Sequence, residues 1–142
     1  MNLKTVLHSG LVTVNNKQII LAVDDDEDNL LLLTEVLEPL NCLVMTATHG
    51  QTALLLAQGY QPDLILLDAM LPDVNGIEVV QRLKQNEETA KIPVVAVTAL
   101  AREEDRDRLI LAGCSNYISK PYLLEDLEAL IRQYLPPIPS AA

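Results

Sequence analysis

The sequence contains neither phenylalanine nor tryptophan, and aromatic residues make up only 3% of it. Its 142 residues are nevertheless 49% hydrophobic, which excludes an intrinsically disordered chain and suits a single domain with a buried core. Because large aromatic side chains are missing, that core must be built from leucine, valine, isoleucine and alanine. The same composition favours an ordinary globular fold.

Cysteine and long apolar runs are also scarce. Cys42 and Cys114 are far apart and lack metal-ligand spacing, so they fit two small buried side chains in a reducing compartment better than a disulfide framework. No apolar run approaches membrane-spanning length, and the first residues lack the pattern of a signal peptide. We therefore expect a cytoplasmic protein without membrane insertion.

Positive charge is in short supply as well. The chain has 10 Lys and Arg residues against 20 Asp and Glu residues, which gives a formal net charge of −10. Because an acidic surface repels phosphate groups, this balance argues against direct nucleic-acid binding and against binding to anionic membranes.

Apolar runs and helical patterns alternate along the chain. Strands are predicted at 19–24, 42–48, 64–68, 92–98 and 115–119, and helices at 30–40, 51–58, 77–86, 102–112 and 123–135. Asp28 and Asn29 offer a cap for the first helix, and Gly59 and Gly113 are expected to end the second and fourth helices. Five such units predict an α/β fold with a parallel sheet, right-handed crossovers and helices on both faces.

The two ends of the chain depart from this alternation. Residues 1–17 form either a flexible leader arm or a short extra strand, since Leu11-Val12-Thr13-Val14 precedes Asn15-Asn16. Residues 136–142 are rich in proline and are expected to be a disordered tail or the start of a linker. The folded domain is therefore predicted at 18–135.

Polar residues whose side chains can take part in catalysis or ligand binding lie at the predicted strand ends. Asp24 and Asp25 follow the first strand, Asp68 the third, Thr98 the fourth and Lys120 the fifth. Open parallel sheets bind ligands beyond the carboxyl ends of their strands. Three carboxylates at one edge repel one another unless a cation neutralises them, which indicates a hard metal ion beside a potential carboxylate nucleophile.

These motifs together resemble the receiver domain of two-component response regulators, over about residues 18–135. Five motifs occur in the family's order: Val-Asp-Asp at 23–25, Leu-Asp-x-x-Leu-Pro at 67–72, Gly76, Val-Thr-Ala at 97–99 and Lys-Pro at 120–121. Segments 94–99 and 113–121 look most like single-domain receivers of the bacterial cell-division and chemotaxis type. The resemblance implies a flavodoxin-like, doubly wound, five-stranded sheet of order 2-1-3-4-5.

The resemblance also implies a phosphorylation site. Asp68 matches the residue that accepts the phosphoryl group in receivers. Mg²⁺, for which Mn²⁺ can substitute, would be held by Asp25, Asp68 and the backbone carbonyl of Met70, with Asp24 acting through a water molecule. A carbonyl ligand explains why residue 70 can be apolar.

Further positions match supporting roles in the family. Lys120 would contact a phosphoryl oxygen, and Pro121 matches a cis-proline that aims the lysine into the site. Thr98 would donate its hydroxyl to another phosphoryl oxygen. Ala99 is small where phosphate enters, and Gly76 would permit the tight turn after the active-site loop.

The resemblance extends to a conformational switch and its partners. Thr98 and Tyr117 match the switch pair, although Tyr117 can also be read as a half-buried tyrosine with its hydroxyl in water. The phosphoryl donor would be a sensor histidine kinase or a histidine phosphotransfer protein. A downstream protein target would bind the face formed by the fourth helix, fifth strand and fifth helix.

Three alternatives stay open. A haloacid-dehalogenase-type phosphatase also uses a strand-end aspartate with Mg²⁺, but it requires a second aspartate where this chain has Met70. A phosphorylation-independent interaction module is a second alternative, although such receivers usually lose an acid, the threonine or the lysine. The chain could also be a receiver module of a larger hybrid kinase or regulator. The preferred interpretation is a signalling switch, which does not turn over a separate substrate as an enzyme does.

Overall fold

The computed structural model describes residues 18–99 and 102–135; the predicted leader at 1–17 and tail at 136–142 lie outside these residues. The strands are β1 (Gln18–Val23), β2 (Cys42–Ala47), β3 (Leu64–Leu67), β4 (Val94–Thr98) and β5 (Asn116–Ser119). The helices are α1 (Glu27–Leu37), α2 (Gly50–Tyr60), α3 (Gly76–Gln85), α4 (Glu103–Ala112) and α5 (Leu124–Arg132), and a 3₁₀ turn (Glu38–Leu40) follows α1.

The strands of the described residues form one parallel sheet in the order β2-β1-β3-β4-β5. This confirms the predicted α/β fold and its strand order. The first strand lies between β2 and β3, and its last residue, Val23, is paired with both Ala47 and Leu67. The chain therefore leaves β1 and β3 side by side, at the same edge of the sheet.

Helices cover both faces of the sheet. Successive residues of β1 alternate between the faces: Leu21 lies in the core with α2, α3 and α4, whereas Ile20 lies in the core with α1 and α5. Cys42 and Cys114 are buried free thiols, one in each core, which confirms that they are small buried side chains rather than part of a disulfide framework. No helix in the described part of the chain is long and apolar enough to cross a membrane.

The predicted boundaries of the first two helices differ from those of the structure. The first helix is capped by Asp26 rather than by Asp28 and Asn29, because the Asp26 side chain accepts the Asp28 N–H at 2.9 Å. The second helix continues through Gly59, which lies on an exposed face with nothing within 4 Å of an added Cβ. It ends at Tyr60, and the next residue, Gln61, caps it with a left-handed backbone at φ of 51°.

The predicted end of the fourth helix is confirmed. Gly113 follows α4 with φ of 126°, a conformation that favours glycine, and its N–H donates to the carbonyls of Leu109 and Ile110. An added Cβ would also lie 2.6 Å from Cγ of Lys84. The fourth strand and the last helix are shorter than predicted, since residues before Val94 form a turn and α5 ends at Arg132.

Candidate active site

Three aspartates meet at the carboxyl edge of the sheet. The backbone N–H of Asp24 donates to Ala47 at 3.1 Å and that of Asp68 donates to Val23 at 2.9 Å, so both residues extend the hydrogen-bond pattern just beyond their strands. One carboxylate oxygen from each of Asp24, Asp25 and Asp68 lies within 4.8 Å of the others. Asp24 and Asp68 are only 3% and 6% exposed, whereas Asp25 is open to solvent.

The ammonium group of Lys120 lies between the two buried carboxylates and contacts both. Its Nζ donates to Asp24 Oδ2 at 2.7 Å and to Asp68 Oδ2 at 3.1 Å, and its backbone N–H donates to Thr98 at 2.9 Å. Burial alone would lower the pKa of Lys120, but the hydrogen bonds and charges of the two aspartates raise it above its ordinary value. The ammonium is therefore charged at neutral pH. The Lys120–Pro121 peptide bond is cis.

Hydrogen bonds fix the orientation of both buried carboxylates. Asp24 Oδ1 accepts the backbone N–H of Asp26 at 2.9 Å, and Asp24 Oδ2 also accepts Asn29 Nδ2 at 3.3 Å. Asp68 Oδ1 accepts the backbone N–H of Met70 at 2.9 Å. The sequence predicts Asn29 only as a helix cap. Its position five residues after Asp24, in the first part of α1, is the signal that could have indicated this contact.

The loop from β3 to α3 is closely packed against itself. The N–H of Gly76 donates to Ala69 at 3.0 Å, and an added Cβ on Gly76 would lie 2.4 Å from Ala69 Cα. Its φ is outside the left-handed region, so the requirement for glycine is a close backbone approach rather than the tight turn expected from the sequence. Asn75 caps α3 by accepting the Ile77 N–H at 2.8 Å.

Thr98 and Tyr117 lie on the neighbouring strands β4 and β5. Thr98 is fully buried at the end of β4 and is followed by the exposed Ala99. The half-buried Tyr117 packs against the core beneath α3 and α4, and its ring centroid lies 4.9 Å from Cζ of Arg106. Its hydroxyl is buried and has no hydrogen-bond partner among the described residues. The alternative that this hydroxyl lies in water is therefore wrong.

Of the residues singled out from the sequence, the structure brings Asp24, Asp25, Asp68 and Lys120 into one cluster. This combination of buried carboxylates and an ammonium is suited to binding a hard cation together with an anionic group. The side chain of Met70 is exposed, as expected for a residue whose part in the site would be played by its backbone.

Comparison with known proteins identifies the family. The family model described as the response regulator receiver domain matches residues 20–132. The chain belongs to the response regulator receiver family. This membership decides against the phosphatase alternative and identifies the chain as a receiver domain of two-component signalling.

Individual relatives agree with this family assignment. The chain is 40% identical over 116 residues to the polar-differentiation response regulator DivK of Brucella ovis, which covers 82% of this chain and 94% of DivK. It resembles the chemotaxis response regulator CheY4 of Vibrio cholerae, with a TM-score of 0.79 and 25% identity over 84% of this chain and 99% of CheY4. These similarities confirm the predicted likeness to receivers of the cell-division and chemotaxis type.

A third comparison bears on the acidic cluster. The receiver domain of a sensor histidine kinase from Pseudomonas aeruginosa PAO1 has a TM-score of 0.77 and 28% identity, covering 83% of this chain and 97% of that domain. Its crystal structure has a magnesium ion coordinated in the active-site cleft. In this chain, Asp24, Asp25 and Asp68 form a group that could hold a metal ion.

Proposed function

We propose that this chain is a phospho-accepting switch in which Asp68 takes a phosphoryl group from a phosphohistidine. The observation that carries the proposal is the cluster in which Lys120 bridges Asp24 and Asp68 while three carboxylate oxygens lie within 4.8 Å of one another. The family's function in two-component signalling agrees with this role.

The donor set fits Mg²⁺. We assign its direct ligands to Asp25, Asp68 and the backbone carbonyl of Met70, with Asp24 acting through a water molecule. All are oxygen ligands, which Mg²⁺ prefers and which Mn²⁺ also accepts, so we expect Mn²⁺ to substitute. When bound, the cation neutralises negative charge on the phosphoryl oxygens and orients them for in-line transfer.

The protein's own residues then guide the transfer. A carboxylate oxygen of Asp68 forms a bond to phosphorus as the bond between phosphorus and the donor histidine nitrogen breaks, and the electron pair of that bond stays on the imidazole. Lys120 already hydrogen-bonds to Asp68, so a small movement would bring its ammonium onto a phosphoryl oxygen. Thr98 would donate its hydroxyl to another, while Ala99 leaves room for the group to enter.

Phosphorylation would act on the switch pair. Adding charge and acceptor oxygens at Asp68 would draw Thr98 towards the phosphoryl group and let the Tyr117 ring move with it. The face formed by α4, β5 and α5 would then bind a downstream protein. The Tyr117 hydroxyl supports this role, because a buried hydroxyl with no hydrogen-bond partner among the described residues favours movement to a position where it gains one.

The donor would be a sensor histidine kinase or a histidine phosphotransfer protein. The apolar run at the start of α1 divides into two halves: Leu30 and Leu33 are buried, whereas Leu31 is 60% exposed and Leu32 is also exposed. The exposed pair supports docking of the donor on this helix. We expect a cytoplasmic protein, in keeping with its two free thiols, and one that acts as a switch rather than on a separate substrate.

A receiver module within a larger hybrid kinase is the second candidate. The observation that favours it is the 28% identity to the receiver domain of a sensor histidine kinase. The chemistry at Asp68 would be the same in both settings. The two candidates therefore differ in what is joined to the chain and not in how its site works.

Labelling with acetyl phosphate tests the proposal. Wild-type protein should gain one phosphoryl group by intact-protein mass spectrometry in Mg²⁺, and none in EDTA. Asp68→Asn should abolish labelling. Asp63→Asn, at the other end of β3, is the matched control and should label like the wild type. Full labelling of Asp68→Asn would refute the assignment.

A further inference from the structure

The first turn of α2 is capped by a residue from another part of the chain. His49 precedes this helix and makes no side-chain cap. Instead, the carboxylate of Asp73 accepts the N–H of Gly50 at 2.7 Å and that of Gln51 at 3.1 Å. These hydrogen bonds hold the pKa of Asp73 below its ordinary value. No local sequence pattern predicts this contact, which spans more than twenty residues.

Close packing at the same point gives an independent indication that the contact is fixed. A Cβ added to Gly50 would lie 3.0 Å from Val74 Cβ and 3.0 Å from Val79 Cγ2. The start of α2 therefore lies directly against the loop from β3 to α3. A side chain at position 50 would crowd Val74 and Val79, so the close approach of the two segments depends on glycine there.

This loop carries the backbone of the acidic site. It begins at Asp68, whose carboxylate accepts the Met70 N–H, and it closes where Gly76 donates to Ala69. These bonds join the loop to itself. The carboxylate of Asp73 joins it to α2, three residues after the carbonyl of Met70.

We propose that Asp73 is a positioning residue that anchors the β3–α3 loop to α2 and thereby keeps the Met70 carbonyl in place for Mg²⁺. This inference rests on the proposed function, because it assumes that the carbonyl is a ligand. Mg²⁺ requires near-ideal octahedral geometry, so a ligand on a loosened loop must be ordered at the moment of binding. The apparent affinity for Mg²⁺ equals the intrinsic affinity multiplied by the fraction of molecules whose loop is in place, so a looser loop binds more weakly.

The test compares two substitutions at Asp73 with a control elsewhere. Asp73→Ala removes both hydrogen bonds, whereas Asp73→Asn keeps one acceptor oxygen. The control is Asn86→Ala, which removes a side-chain acceptor of the Glu88 N–H at the opposite end of α3. Mg²⁺ dissociation constants are measured by isothermal titration calorimetry on the full chain, and urea unfolding records the stability of each variant.

We expect Asp73→Ala to weaken Mg²⁺ binding about tenfold, Asp73→Asn to weaken it about threefold, and Asn86→Ala to leave it unchanged. The proposal is overturned if Asp73→Ala stays within about twofold of the wild type, or if Asn86→Ala weakens binding equally at a similar loss of stability. If Asp73→Ala does not fold, the Mg²⁺ dissociation constant of Asp73→Asn tests the proposal instead. A dissociation constant equal to that of the wild type would then overturn the proposal.

The same titration separates this inference from the proposed function. A wild-type chain that binds Mg²⁺ but is not labelled by acetyl phosphate would refute the proposed function, while the comparison of Asp73 variants would still decide on the positioning role. A wild-type chain that does not bind Mg²⁺ would overturn both.

Discussion

Replacing Lys120 with methionine would remove the ammonium that bridges Asp24 and Asp68 while keeping much of the aliphatic stem. In wild-type protein this ammonium lies 2.7 Å and 3.1 Å from the two buried carboxylates. The variant would leave those carboxylates close together without their counter-charge. It should therefore lose stability when divalent cations are absent.

The expected loss can be worked from the geometry. Two unit charges 4.8 Å apart, the distance within which the ligand oxygens of the acidic cluster lie, repel each other by about 3.5 kcal/mol at an effective dielectric constant of about 20. The Lys120 side chain is 21% exposed, so solvent screens part of this energy. We therefore expect Lys120→Met to lower the free energy of unfolding by about 2 kcal/mol.

Urea unfolding followed by circular dichroism at pH 7 measures this loss, with EDTA or with Mg²⁺. Because the pKa of Lys120 is raised in the folded protein, its contribution is complete at pH 7 and is lost only as the pH rises through that folded value. Mg²⁺ should stabilise the variant more than the wild type, since the site has lost a competing positive charge.

The matched control is Arg82→Met, which breaks an exposed ion pair with Glu78 on α3. Such surface pairs contribute about 0.5 kcal/mol or less. If Lys120→Met loses no more stability than Arg82→Met, or if Mg²⁺ stabilises Lys120→Met and the wild type equally, then the ammonium does not neutralise the acidic cluster.

Three further predictions concern packing and burial. Gly76→Ala should destabilise the protein by about 3 kcal/mol in urea unfolding, because the added Cβ would overlap Ala69. Gly59→Ala, on an open helical face, should instead stabilise the protein by about 0.5–1 kcal/mol, and equal effects of the two substitutions would refute this prediction. Burial raises the pKa of Cys114 from 9.0 to about 11. At pH 8 its thiol should therefore react with iodoacetamide roughly 100-fold more slowly in folded than in unfolded protein, and equal reaction rates would contradict the burial of this thiol. Tyr117→Phe removes a buried hydroxyl that has no hydrogen-bond partner in residues 18–99 and 102–135. It should leave stability unchanged or raise it by about 1 kcal/mol, whereas a loss of that size would indicate a hydrogen bond at this hydroxyl.

The sheet was predictable because continuous apolar runs mark strands that are covered on both faces. The run 64–67, for example, is fully buried, and Asp68 directly after it marks where the chain leaves the core. Asp24, Asp68 and Lys120 each lie at the end of a predicted strand or directly after it. Because parallel connections fix the direction of the strands, their meeting at one edge of the sheet was also predictable.

Helix ends and cross-loop contacts were less predictable. Several acidic residues in a row offer equivalent caps for α1, and the choice of Asp26 depends on where β1 ends. Gly59 is a helix breaker by propensity, yet an exposed position tolerates it at a cost of about 1 kcal/mol. The contact of Asp73 with α2 and the buried hydroxyl of Tyr117 depend on packing between distant segments, which no local pattern encodes.

Mapping the phosphorylated residue tests the central claim most directly. Protein labelled with acetyl phosphate in Mg²⁺ is reduced with borohydride, which converts an aspartyl phosphate into homoserine, and is then digested for peptide mass spectrometry. We predict homoserine at position 68 and unmodified aspartate at positions 24 and 25. Modification at either of those positions, or anywhere else in place of position 68, would contradict the assignment of Asp68 as the phosphoacceptor.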